Sequence, residues 1–322
     1  MADQRAQYNE EAVGANHPTK ADVINRLALV EHNTDGTHKM GATPAAIGTA
    51  LQQIRVNSGM TALEFFTPTE GLPLGYLSGL GISHAADTEH DITVAVGKAR
   101  DATDTADMVL ASAITKQFDA EWAVGDAAGG FAAGESLPAS GTIHIWLIKR
   151  SDTGVVDVMA NNHATSALAP SLPADYDYKR RIFSLRTDAD NNIINGDQWG
   201  TGLIRTWMYD TPILDVTATN PGTNAVSVAL SVPNGIIVSV LGILGLTRGT
   251  STNVMYVSAL ANTDLAPSAT AAPLANWGYT NPYPNSLQDL FSNTSGQVRY
   301  RIDTSGASDV VRIATYGWRD SL

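Results

Sequence analysis

The chain has 322 residues, 43% of them hydrophobic and only 16% charged, against the ~25% charged residues of an average soluble domain. Its formal net charge of −12 argues against a nucleic-acid surface, because phosphate binding needs clustered Lys and Arg to displace counterions. With no cysteine, neither disulfides nor thiolate metal sites are available, and 28 glycines with 14 prolines suit short strands joined by many turns.

The opening MADQRAQYNEE lacks the basic and apolar regions of a secretory signal. Residues 1–45 differ from the rest in holding the one convincing helix pattern. Thr19 follows Pro18 with Asp22 three residues on, a capping-box-like start, and Val23, Leu27 and Val30 repeat at i, i+4 and i+7. About twelve helical residues are marginal alone in water, so the stripe should be buried against another chain, or else against the chain's own sheets. The polar EHNTDGTHK at 31–39 follows, with Asp35-Gly36 as a turn signal.

Residues 46–75 read as a linker with one short strand or helix around Leu63, Phe65 and Phe66. From about 76 the period becomes two. Ile92, Val94 and Val96 alternate in DITVAV, as do Ile143, Ile145 and Leu147 in TIHIWLIK, which predicts half-buried strands. Asp152-Thr153-Gly154 between two alternating runs predicts a hairpin. RRIFSLRT and LIRTWM complete a first module over 76–208, and Tyr209-Asp210-Thr211-Pro212 suggests a boundary.

In the second module, 209–322, AVSVALSV places Val226, Val228, Leu230 and Val232 on one face. NVMYVSAL, QVRYRID and DVVRIATYGW repeat the device, with Pro233-Asn234-Gly235 and Thr304-Ser305-Gly306 as turns. The most apolar run, IIVSVLGILGL at 236–246, has 11 residues where a bilayer span takes about 20. It is expected to be a buried strand pair, with no membrane insertion. The expected fold is therefore mainly β: a short N-terminal helix and extended segment, then two antiparallel β-sandwich, jelly-roll-like modules.

YNEEAVGANHPTKADVINRLALVEHNTDGTHK, residues 8–39, resembles the N-terminal attachment segment of tail-fibre and related appendage proteins of tailed bacteriophages. Residues 91–194, with DITVAVGKARDATDTADMVL, WLIKRSDTGVVDVM and YKRRIFSLRTDADNNI, are similar to a phage virion module that often follows it. The resemblance implies an N-terminal segment that docks to other virion proteins of the tail, neck or capsid. It further implies distal β modules that project outward, contact with a host-surface glycan or protein, and a homotrimer made in the host cytoplasm and carried on the virion. Val23, Leu27, Val30, His32 and His38 are then candidates for attachment or oligomerisation. Head-fibre, neck, collar and decoration proteins share such modules, so a purely structural role stands beside the tail-fibre reading. A capsule depolymerase is more distant, since its usual stacked repeats have no counterpart here.

Four groups of residues are candidate sites. Asp188, Asp190 and Asn192 in TDADNNIINGD stand at positions one, three and five of a calcium-loop-like spacing, yet Trp199 occupies the twelfth. A tight hairpin turn uses the same residue types. His84, Asp87, His90 and Asp91 could gather a divalent ion or form a solvated loop. His17, His32 and His38 could meet around an axis to bind metal, or hydrogen-bond at an interface. Trp277, Tyr279 and Tyr283 in NWGYTNPYPN could stack on a sugar face, or anchor a long loop. No nucleophile elbow, phosphate loop or H-E-x-x-H helix occurs, so neither enzymatic activity nor a cofactor is expected.

Overall fold

A computed structural model describes residues 53–56, 63–66, 71–247, 254–268, 276–278 and 285–322. The chain divides into two compact units, Met1–Glu70 and Gly71–Leu322. In the first, strands β1 (Gln53–Val56) and β2 (Leu63–Phe66) pair as an antiparallel hairpin. The stretch expected to hold one short element thus contains two strands. The helix expected from Thr19 to Val30 lies outside the described residues.

Among the described residues the second unit is built from four sheets. Strands β3 (Leu77–Gly79), β6 (Gly97–Arg100) and β7 (Asp107–Leu110) form the smallest. A seven-stranded sheet has the order β12-β10-β11-β9-β8-β5-β4. Its strands are β4 (Ile82–His84), β5 (Asp91–Val94), β8 (Ile114–Glu121), β9 (Ala128–Phe131), β10 (Thr142–Arg150), β11 (Val156–Asn162) and β12 (Tyr176–Arg186). One helical turn, α1 (His163–Ser166), follows β11, and the Asn162 side chain caps it by accepting the Ala164 N–H. A five-stranded sheet orders β13 (Gly196–Trp199), β14 (Ile204–Thr219), β21 (Val310–Ser321), β16 (Ser239–Thr247) and β19 (Asn285–Phe291). The last sheet orders β15 (Val226–Ala229), β20 (Gln297–Ile302), β17 (Met255–Ser258) and β18 (Asn276–Gly278). The protein is mainly β, with its sheets in sandwich-like layers, as the alternating patterns predict. Pairing is antiparallel except at β9, which runs parallel to both β8 and β11. There the close approach needs glycine, because a Cβ at Gly129 would overlap the Glu121 carbonyl.

Several local expectations change in three dimensions. The Asp152-Thr153-Gly154 turn does join β10 to β11, with Gly154 at φ +75°. β10, however, is covered on both faces. Ile143, Ile145 and Leu147 enter the main core, while Trp146 and Ile148 join a second cluster with Met159 and Tyr176. β17 is likewise buried at all four residues. β5 ends at Val94, leaving Val96 53% exposed. The run 236–246 supplies one central strand and not a pair, with β21 on one side and β19 on the other, and the step at Leu241/Gly242 is a bulge rather than a turn. Thr304-Ser305-Gly306 carries the chain from β20 in one sheet to β21 in another.

The turn-like Tyr209-Asp210-Thr211-Pro212 falls inside β14. The register against β21 jumps there from Met208↔Gly317 to Ile213↔Thr315. Proline and its neighbours are tolerated because the strand bulges away from its ladder. Both expected modules contribute to one buried cluster, from Leu77 through Trp318. At its centre Phe183 of β12 lies 6.0 Å from Trp207 of β14 and 6.2 Å from Trp318 of β21. Polar ties reinforce the join. Arg181 pairs with Asp320 at 2.5 Å. The buried Arg205 guanidinium donates to the carbonyls of Gly79, Leu80, Ile182 and Gly202.

Candidate functional site

The calcium-loop-like segment is a self-satisfied turn. The Asp188 N–H donates to the Asn192 carbonyl, and Asp188 Oδ1 accepts the N–H groups of Asp190 and Asn192 at 2.9 and 2.8 Å. Its Oδ2 accepts Asn192 Nδ2 at 3.3 Å, and Asn191 takes a left-handed φ of +70°. Asp188 thus spends Oδ1 on backbone donors and Oδ2 on a side-chain amide, which is the ordinary chemistry of an Asx turn.

Of the His84 group, the structure brings part together. Asp87 Oδ2 meets His90 Nδ1 at 2.9 Å, Asp87 Oδ1 accepts the Glu89 N–H, and the ligand atoms of Asp87, Glu89 and His90 lie within 4.8 Å of one another. The His90 bond holds Asp87 below its ordinary pKa, and Asp87 in turn raises His90. His84 turns elsewhere: its ring packs 5.7 Å from Trp207, and burial lowers its pKa. Asp91 begins β5, where burial, then the charges of Asp87 and Asp119, push its carboxyl up. The arrangement closes the β4–β5 turn, in which the Asp91 N–H donates to the Asp87 carbonyl.

Val23, Leu27, Val30, His17, His32, His38, Tyr279 and Tyr283 lie outside the described residues. Trp277, expected in a loop, sits on β18 opposite Tyr256 of β17.

What pattern reading missed is a groove of about 540 Å³ beside the 188–192 turn. One wall is that turn, docked on the 87–90 turn through the Ile193 N–H and the Glu89 carbonyl. The facing wall is the β14 bulge, Thr211, Pro212 and Ile213, with Ser231 beside it. Tyr209 fastens this wall by donating from its buried hydroxyl to the Ser231 carbonyl, and burial raises its pKa. Asn192, Ile193, Ile194 and Asn195 line the remainder with Ser140 and Thr187.

Arg186, the last residue of β12, reaches into this groove. Nη1 donates to Thr142 Oγ1 at 3.1 Å and Nη2 to the Ser140 carbonyl at 3.0 Å. Nε is shut off from solvent and has no hydrogen-bond partner. Burial pulls the guanidinium below its ordinary pKa, with Tyr209 and Asp215 opposing. Asp215 is itself engaged by Ser231 and Thr315. Among the described residues no carboxylate forms an ion pair with Arg186.

A second polar cluster pairs groups familiar from hydrolases. His144 Nδ1 lies 2.7 Å from Ser184 Oγ, and His144 Nε2 lies 3.0 Å from His163 Nδ1. Both Ser184 and His144 are fully buried, and Arg181 also donates to the serine oxygen. Burial, then Arg181 and His163, push His144 down to about 3. A neutral imidazole enclosed in this way ties β10 to β12 and α1.

No family model matches the sequence, and no curated protein matches it. Among solved structures, one chain from a structure of infectious bursal disease virus Gx strain is 11% identical over 77% of this chain and 75% of that chain, with a TM-score of 0.14. A likeness that low carries no argument about fold or function.

Proposed function

We propose that the protein is a structural appendage of a tailed-phage particle, a tail fibre that assembles as a homotrimer, docks through residues 1–45 and contacts the host surface distally. The reading rests on the resemblance of residues 8–39 and 91–194 to phage appendage segments. The observation that supports assembly is a row across the five-stranded sheet that is exposed at both margins, although Ser239 within it is buried. Trp199, Thr206, Arg319, Ser239 and Phe291 stand in one cross-strand register. Its two outer members, Trp199 and Phe291, are 62% and 52% exposed. The neighbouring row, Trp207, Trp318, Val240 and Leu290, faces the core. Large apolar groups at both margins of an open sheet suit contact with another subunit.

Light scattering on the purified chain tests the assembly, with a trimer expected and a strict monomer counting against it. Gold-labelled antibody on intact particles tests the location. Label at the tail is expected; label confined to capsid or collar would replace the tail-fibre reading with a head-fibre or neck role.

A further inference from the structure

Arg186 in its groove is treated differently from Lys116 and Arg205, the fully buried cations among the described residues. Lys116 spends its ammonium on Asp157 and two carbonyls, and Arg205 spends its guanidinium on four carbonyls. At Arg186 only Nη1 and Nη2 have partners, both neutral, and Nε has none. Nε is shut off from solvent, so an outside partner would reach the cation through the second N–H of Nη1 and of Nη2, and a cation drawn out of water without an anion is costly unless something completes it.

The surroundings narrow what that could be. Asp188 and Asp215 are committed to hydrogen bonds within the chain. Glu89 alone offers a carboxylate on the rim without a hydrogen bond of its own among the described residues. Otherwise the lining alternates small hydroxyl and amide side chains with the apolar surface of Pro212 and Ile213. Hydroxyls and amides over an apolar patch match the alternating O–H and C–H faces of a sugar ring, in a volume that fits one or two rings. The planar guanidinium matches a carboxylate by its fork of donors. The chain's overall negative charge is screened over roughly 8 Å at physiological salt, and with Glu89 and Asp188 on the same lining the attraction for an anion is confined to direct contact with the guanidinium.

We infer that the groove between the 188–192 turn and the β14 bulge binds an acidic sugar, with the sugar carboxylate on Arg186 and its hydroxyls on the Ser, Thr and Asn lining. The inference concerns the isolated protein and does not depend on where the protein sits on a particle.

Titration calorimetry on the full chain tests it with D-glucuronate, D-glucose and acetate as probes. Glucuronate should bind at least about ten-fold more tightly than either control, since only it satisfies both the cation and the polyol lining. Arg186→Gln should weaken it by about ten-fold or more. Thr211→Trp, on an exposed position of the opposite wall, should block binding without touching the guanidinium. Circular dichroism melts of both variants should match the parent, showing that the loss is of binding and not of folding. Equal binding of glucose would remove the carboxylate from the inference, equal binding of acetate would remove the sugar, and absence of binding by all three, or an unaffected Arg186→Gln, would overturn it.

Discussion

Lys116 and Arg186 are both cations carried by the seven-stranded sheet and withdrawn from water, yet the chain handles them differently. Lys116 on β8 points inward between Ile114 and Phe118, where its Nζ meets Asp157 Oδ1 at 3.0 Å and the carbonyls of Ala123 and Gly125 at 2.6 and 2.9 Å. Asp157 is saturated in turn by the N–H groups of Gly125 and Val158. Every charge and donor in that cluster is matched inside the protein. Arg186 lies at the mouth of a groove with donors to spare. The difference separates a cation used as a fastener from one held ready for an outside partner, since low dielectric penalises an unmatched charge far more than a matched one.

The contrast can be broken most forcefully at Asp157. Asp157→Ala strands the Lys116 ammonium and should cost about 3–5 kcal/mol in urea unfolding, whereas Lys116→Met with Asp157→Leu should be close to neutral. A small loss in the single variant would mean that Lys116 finds water, and the fastener reading would fail.

Acid supplies the next largest effect. His144 is held near 3 in the fold against 6.5 in the unfolded chain, so the unfolded state binds more protons across that interval. Its contribution is complete above 6.5 and is lost as pH falls toward 3, by roughly 1.4 kcal/mol per unit. Asp101 adds a loss at lower pH. Burial raises its carboxyl, but bonds from Thr103, Ala106 and Thr105 prevail and hold it at about 2. His144→Asn should flatten the stability curve between pH 6.5 and 4.5, leaving the carboxylate limb below it. An unchanged slope would show that the imidazole opens to solvent before it titrates.

Smaller effects sharpen the groove side. Asp188→Ala removes acceptors from the 188–192 turn and should cost about 1 kcal/mol. Millimolar calcium or a chelator should leave the melting temperature of the parent unchanged, because Asp188 already serves the turn; a calcium-dependent rise would restore the ion site. Arg186→Met should change stability by less than about 1 kcal/mol, in either direction. A loss as large as that at Asp157 would make Arg186 a second fastener.

Local chemistry was legible. Gly154 closes the β10–β11 hairpin because a left-handed residue is needed after Asp152-Thr153. QVRYRI shows alternating burial because β20 has one covered face. The Asp188 turn could likewise be read from the Asp and Asn spacing alone. Relations across the chain were not. Nothing near Lys116 announces Asp157, 41 positions later, or marks Arg205 as the clasp on Gly79 and Leu80, which lie 126 and 125 residues away. Tyr209-Asp210-Thr211-Pro212 carries turn chemistry, and only the pairing of β14 with β21 converts it into a bulge and hence into a groove wall.

By itself the amino-acid sequence determined a cysteine-free, acidic, mainly β chain and some of its turns, such as the one closed by Gly154, because backbone period and φ preferences act over a few residues. Tertiary structure alone decided which faces are covered twice, that residues on both sides of 209 share one core, and that Arg186 is left incompletely matched beside a groove. Those outcomes depend on which distant strands meet, and short-range periodicity carries no record of that.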